Sequence, residues 1–163
     1  MNYHEAVIID FARRTRANLE FVEAAKGRGA NVFEVTQLAN SLLGLLVFPQ
    51  QHYLSSIPAT PLSDLVSQGW PKIRTTAGAL PEENLHQLLR MLRNSIAHCN
   101  VEFIAETEGQ ITGIKVWNTN NSGKKTWQTE LSLDDLRTIV LKFIELIAPI
   151  EVATRSTVKG DRQ

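Results

Sequence analysis

The sequence predicts a mainly α fold, a bundle of about four helices with a small antiparallel β-sheet inserted before the last helix. Three observations predict it. Apolar residues recur at helical spacing in three stretches before Asn100. The pattern then switches to short alternating runs between Val101 and Leu131, and a serine-capped apolar stripe follows from Ser132.

The elements follow in order. From about Asn2 to Lys26, Val7, Ile8, Phe11, Leu19, Val22 and Ala25 fall on one stripe of a helix, and Gly27 and Gly29 supply its C-terminal cap. A second helix is expected from Phe33 to Phe48, stopped by Pro49. Its half LLGLLVF is apolar all round, as suits the middle of a bundle. Pro49 to Leu80 is rich in Pro, Ser, Thr and Gly and reads as a long ordered connection with one short helix at most, Leu62 to Gln68. A third long helix is expected to start near Pro81, where proline suits the first turn and Glu82 and Glu83 complement the dipole. It runs to about His98–Asn100. VEFIAETE, ITGIKVWN and KTWQTEL read as strands, joined by turns at Glu108–Gln110 and Asn118–Lys124. The final helix opens at SLDD, a serine cap with Asp134 and Asp135 in the first turn, and closes at Pro149. Residues 1–153 therefore read as one domain, followed by a polar and frayed tail, 154–163.

Composition limits the function classes. With 17 basic and 17 acidic residues the formal net charge is zero. A protein that binds nucleic acid over its whole surface is usually basic, so RNA would have to be held by a local patch. The single cysteine, Cys99, excludes an intramolecular disulfide and fits a reducing compartment. Glu5 and Asp10 interrupt the apolar stretch that a signal peptide needs, and the run Leu38–Phe48 is about half the length that spans a bilayer. The expectation is a soluble, cytoplasmic protein without a membrane partner.

On the helix beginning near Pro81, advancing about 100° per residue puts Leu85, Leu88, Leu89, Leu92, Ile96 and Cys99 on the core face. Arg90, Arg93, Asn94 and His98 form a polar stripe outside that core, which by itself is a solvated helix face. Arg93 and His98 lie about 140° apart on a regular helix. They converge on one ligand only if the helix ends near His98, or if a twofold partner brings its own pair alongside.

The segment LRNSIAHCN, Leu92 to Asn100, resembles the R-x4–6-H signature of HEPN-family ribonucleases, with arginine at Arg93, a polar residue at Asn94 and histidine at His98. FEVTQLANSLLGLLVFPQ, Phe33 to Gln50, and LSLDDLR, Leu131 to Arg137, resemble a plasmid- and phage-associated HEPN subfamily. The resemblance implies a HEPN-like bundle, a homodimer with both motifs in one cleft, and RNA cleavage that needs no metal or cofactor. His98 would be general base or acid, Arg93 the transition-state stabiliser and Asn94 the group that orients the phosphate or the histidine. Arg90 is expected as an auxiliary phosphate contact. A toxin or anti-phage effector of this kind leaves room for an antitoxin or regulatory protein as a further partner. The alternative is a non-catalytic HEPN-type module that binds RNA, a nucleotide or a partner protein.

Other signals are weaker. The run RRTR, with Arg13, Arg14 and Arg16, offers backbone-phosphate contacts, though a solvated helix face explains it as well. Glu20 and Glu23 are candidates to hold the catalytic histidine or arginine. Trp117 and Trp127 could stack bases, with cross-strand packing the plainer role. His4, His52 and His86 show no metal-binding spacing.

Overall fold

A computed structural model of the chain describes residues 3–47, 57–106 and 111–147. The expected stops at Pro49 and Pro149, the turn Glu108–Gln110 and the tail 154–163 lie outside them. Five helices and four strands are described: α1 (Tyr3–Gly27), α2 (Glu34–Val47), α3 (Leu62–Ser67), β1 (Thr75–Gly78), α4 (Leu85–Ala97), β2 (Val101–Ala105), β3 (Ile111–Thr119), β4 (Lys125–Ser132) and α5 (Leu133–Ile147).

Helix α2 is the centre of the bundle and packs against α1, α4 and α5, while the sheet covers α4 and α5. Leu38, Leu42, Leu45 and Leu46 of α2 are buried, as are Leu136, Ile139, Val140 and Phe143 of α5. The half LLGLLVF, apolar all round in sequence, is buried at Leu42, Leu45 and Leu46, but Leu43 is 42 % exposed. Helix α5 opens as its sequence requires. Ser132 Oγ accepts from the backbone N–H of Asp135 at 3.1 Å, and the Asp135 carboxylate accepts from the Ser132 N–H at 3.0 Å. This reciprocal pair satisfies two N–H groups that a helix start leaves unpaired.

The sheet is larger than the three strands expected. Its order is β1-β4-β3-β2, antiparallel throughout. Strand β1, TTAG, precedes α4, so the sheet is not simply an insertion between the last two helices. No apolar alternation marks β1, because all four residues are exposed. Its place is set by backbone pairing with β4 and by side-chain bonds such as Thr129 Oγ1 to the Arg74 carbonyl, 2.8 Å. In the inner layer Ile114 stands opposite Leu131 and Asn118 opposite Trp127. Ile114, Val116, Trp127 and Leu131 are buried there.

Helix α4 starts four residues later than Pro81. The preceding backbone is committed sideways: Leu62 donates to the Glu83 carbonyl and Leu85 to the Thr60 carbonyl, both at 2.9 Å. Asn84 pairs with Pro61 in an isolated bridge and is the true N-cap, its side chain accepting from Gln87 N–H at 2.9 Å. The long connection is thus ordered against the start of α4 by main-chain bonds.

Candidate active site

Helix α4 presents its core face through Leu85, Leu88, Leu89 and Leu92, all buried. Arg93 and Asn94 are half-buried beside that face, and Arg90, one turn earlier, is exposed. The guanidinium of Arg93 donates through Nη1 to Asn94 Oδ1 at 3.2 Å, so these two motif residues are joined directly. A guanidinium held at one nitrogen keeps other N–H donors for an anion.

The helix ends at Ala97, and His98 is its C-cap with φ −98° and ψ 11°. The imidazole is exposed at the last turn. Of the two conditions for Arg93 and His98 to converge, a helix end at His98 is therefore present. Cys99 follows with φ +56° and an exposed thiol, not on the core face as the helical projection put it. The reason is that the chain leaves the helix one residue earlier, so the 100° step no longer applies. Two backbone bonds close the turn: Cys99 N–H to the Ile96 carbonyl at 3.1 Å and Asn100 N–H to the Ser95 carbonyl at 2.8 Å. This is the Schellman arrangement, in which the residue after the cap is left-handed.

Beneath the motif lies a buried polar cluster that the sequence reading missed. Ser95 is fully buried and donates its hydroxyl to the Met91 carbonyl at 2.9 Å. Asn118, on β3 and 8 % exposed, donates through Nδ2 to Ser95 Oγ at 2.7 Å and to the Met91 carbonyl at 2.8 Å. The sequence places Asn118 at the junction of the strand ITGIKVWN and the polar turn Asn118–Lys124; the structure keeps it in β3 and buries it. A signal existed. Asn118 continues the inward parity of Ile114 and Val116, and a polar residue at an inward strand position calls for a buried partner.

The other candidates lie elsewhere. Arg13 and Arg14 on α1 both bond the Asp10 carboxylate at 2.6 Å, and Arg16 approaches Glu145 of α5 at 4.0 Å. The hydrogen bond from Arg13, and then that from Arg14, holds the Asp10 carboxyl below its ordinary value. Helix α1 packs on α2 and α5, whereas α4 packs on α2 and β3, so these arginines and the motif belong to different packing layers. Glu23 does not hold a motif residue. It forms a two-point ion pair with Arg137 of α5, with Nη2 to Oε2 at 2.7 Å, and that hydrogen bond raises the guanidinium's pKa further. Glu20 is exposed on α1. Trp127 is fully buried in the core, with Nε1 donating to Thr75 Oγ1 at 3.2 Å, so it cannot stack a base. Trp117 is half-buried under Lys125, whose Nζ lies 4.8 Å from the ring centre.

Among the described residues no three His, Cys, Asp or Glu side chains gather into a metal-binding group. No described helix is long and apolar enough to cross a membrane.

No curated protein and no solved structure matches the chain. A family model does: the one described as HEPN pEK499 p136 matches residues 1–152. That match covers every element described above, from α1 to α5, and includes the Arg93–His98 segment. With the family model matched over nearly the whole chain, the chain belongs to the HEPN pEK499 p136 family.

Proposed function

We propose that the protein is a metal-independent endoribonuclease that acts as a homodimer, with the α4 ends of two copies forming one composite site. The observation that carries this reading is the state of the motif at the helix end. Arg93 and Asn94 are joined by a hydrogen bond, and His98 is exposed one turn beyond them. HEPN membership supports a nuclease or nucleotide-binding role for such a site.

The chemistry follows from the residue types. His98 of one copy accepts the proton of a ribose 2′-hydroxyl, and the oxygen attacks the adjacent phosphorus. The bond from phosphorus to the 5′-oxygen breaks, and that oxygen takes a proton from His98 of the second copy. The products are a 2′,3′-cyclic phosphate and a 5′-hydroxyl. Arg93 meets the negative charge that builds on the phosphate oxygens, where a guanidinium fork is well matched. Asn94 holds Arg93 in orientation. Arg90 is the auxiliary phosphate contact, while Arg13, Arg14 and Arg16 would have to exchange Asp10 and Glu145 for phosphate. A toxin or anti-phage role, restrained by an antitoxin or another regulator, suits a metal-free nuclease of this kind.

The test is incubation of the purified protein with labelled tRNA and mRNA in EDTA, beside Arg93→Ala and His98→Ala. Cleavage by the wild type alone, leaving cyclic phosphate ends, is the expected result. No cleavage of either RNA by a folded dimer would reject the reading in favour of a binding module.

A further inference from the structure

Three links join the end of α4 to strand β3. Asn118 reaches Met91 and Ser95 through its side-chain amide, and Trp117 donates its backbone N–H to the Asn100 carbonyl at 3.2 Å. Asn118 and Trp117 are neighbours on the strand, and the residues they hold bracket the motif, from Met91 before it to Asn100 after it. Ser95 stands at the junction. Its hydroxyl takes the Asn118 amide, and its carbonyl takes the Asn100 N–H that closes the turn carrying His98.

The accounting of donors explains why this pairing is specific. A serine hydroxyl has one proton and a side-chain amide has two. The Ser95 proton goes to the Met91 carbonyl, and Asn118 Nδ2 serves both the Met91 carbonyl and Ser95 Oγ. These groups lie in a layer where Ser95 is fully buried, so water does not replace a lost partner cheaply. A hydroxyl bonded back to the i−4 carbonyl also tends to bend a helix. Here it falls in the helix's final two turns, between Arg93 and His98.

We propose that Asn118 is a positioning residue for the Arg93–Asn94–His98 site: through Ser95 it sets the register and angle of the last turn of α4, and so where the His98 imidazole stands relative to Arg93. Asn118 touches no substrate. Its catalytic consequence rests on the ribonuclease reading above, whereas the clamp itself does not.

The experiment uses the full chain with Asn118→Leu, Ser95→Ala and the double variant. Leucine nearly preserves the volume and removes both donors; alanine removes the acceptor with little change in size. Thermal unfolding first establishes the folded fraction of each variant, so that rates are given per folded molecule. Amide hydrogen exchange at Cys99 and Asn100 and the His98 ring resonances then read the turn, and kcat and KM for RNA cleavage read the site. In the two single variants, both amides are expected to exchange about tenfold faster than the global unfolding change accounts for. The His98 ring resonances shift. The value of kcat falls about 10- to 100-fold with KM within about twofold, as displacement of a catalytic group would produce. The double variant is no slower than Asn118→Leu alone, since both act through one link. Unchanged exchange at Cys99 and Asn100, or an unchanged kcat per folded molecule, would overturn the proposal. If the wild type cleaves no RNA, the ribonuclease reading falls by itself. The clamp is then decided by exchange and the His98 resonances: shifted in Asn118→Leu, it stands; unmoved, it fails.

Discussion

The backbone N–H of Asn100 meets the Ser95 carbonyl at 2.8 Å, closing the end of α4 over a left-handed Cys99. Two other helices end the same way, but with glycine in that position. Ala30 N–H bonds the Ala25 carbonyl over Gly29 (φ +79°), and Trp70 N–H bonds the Leu65 carbonyl over Gly69 (φ +82°). Among the described residues Cys99 is the one non-glycine with positive φ.

A side chain in this conformation costs about 1 kcal/mol relative to glycine. Cys99→Gly is therefore expected to raise stability by up to about that amount, a rise of about 2–4 °C in Tm. Cys99→Val, β-branched, should lower it. A calorimetric scan of the three proteins checks the order, and a lower Tm for the glycine variant would refute it. The exposed thiol should also react with a disulfide reagent in native conditions, without waiting for unfolding.

Arg93→Lys is expected to behave as a loss of function, although it keeps the charge. A lysine cannot bond Asn94 and grip a phosphate with the same planar fork. The expected result is a fall in kcat of at least about tenfold, with His98→Gln losing about 100-fold or more. Single-turnover cleavage of a labelled RNA measures both, and full activity in Arg93→Lys would contradict the role given to the guanidinium.

The pair Glu23–Arg137 ties α1 to α5 at a partly exposed position. Breaking it by Glu23→Gln should cost stability by about 0.5–1 kcal/mol, less at high salt, because solvent screens such a pair. RNA cleavage per folded molecule should be unchanged, since Glu23 holds α5 and no motif residue. Denaturant unfolding at two salt concentrations, with an activity assay alongside, measures both. A large loss of activity at full stability would return Glu23 to the site.

Gly78 ends β1 with φ +68°, and a Cβ there would run into the backbone carbonyl of Thr126. Both the conformation and the space require glycine. Gly78→Ala should therefore detach β1 from β4 and destabilise the fold by about 1–3 kcal/mol. Hydrogen exchange at Ala79 N–H, bonded to the Thr126 carbonyl at 3.1 Å, reports the detachment directly. Protection there as strong as in the wild type would show that the strand tolerates the side chain.

Much of this protein is determined by local pattern. The helical spacing of Val7 to Ala25, the capping serine at Ser132 and the strand pattern of ITGIKVWN are local signals, and each produced the element expected. The candidate motif was legible through its resemblance to the R-x4–6-H signature, since Arg93, Asn94 and His98 lie within one short segment at the end of α4. Tertiary structure decided what depends on contacts distant in sequence. Strand β1 has no pattern of its own and exists because β4 offers it main-chain partners. The start of α4 waited for Thr60 and Pro61 to occupy the backbone before Leu85. The burial of Ser95 and Asn118 against each other joins residues on different elements, which no periodicity within one element can report. Cys99 left the core face because a helix end, set by bonds to Ile96 and by the sheet's hold on Asn100, overrides the rotation that sequence spacing assumes.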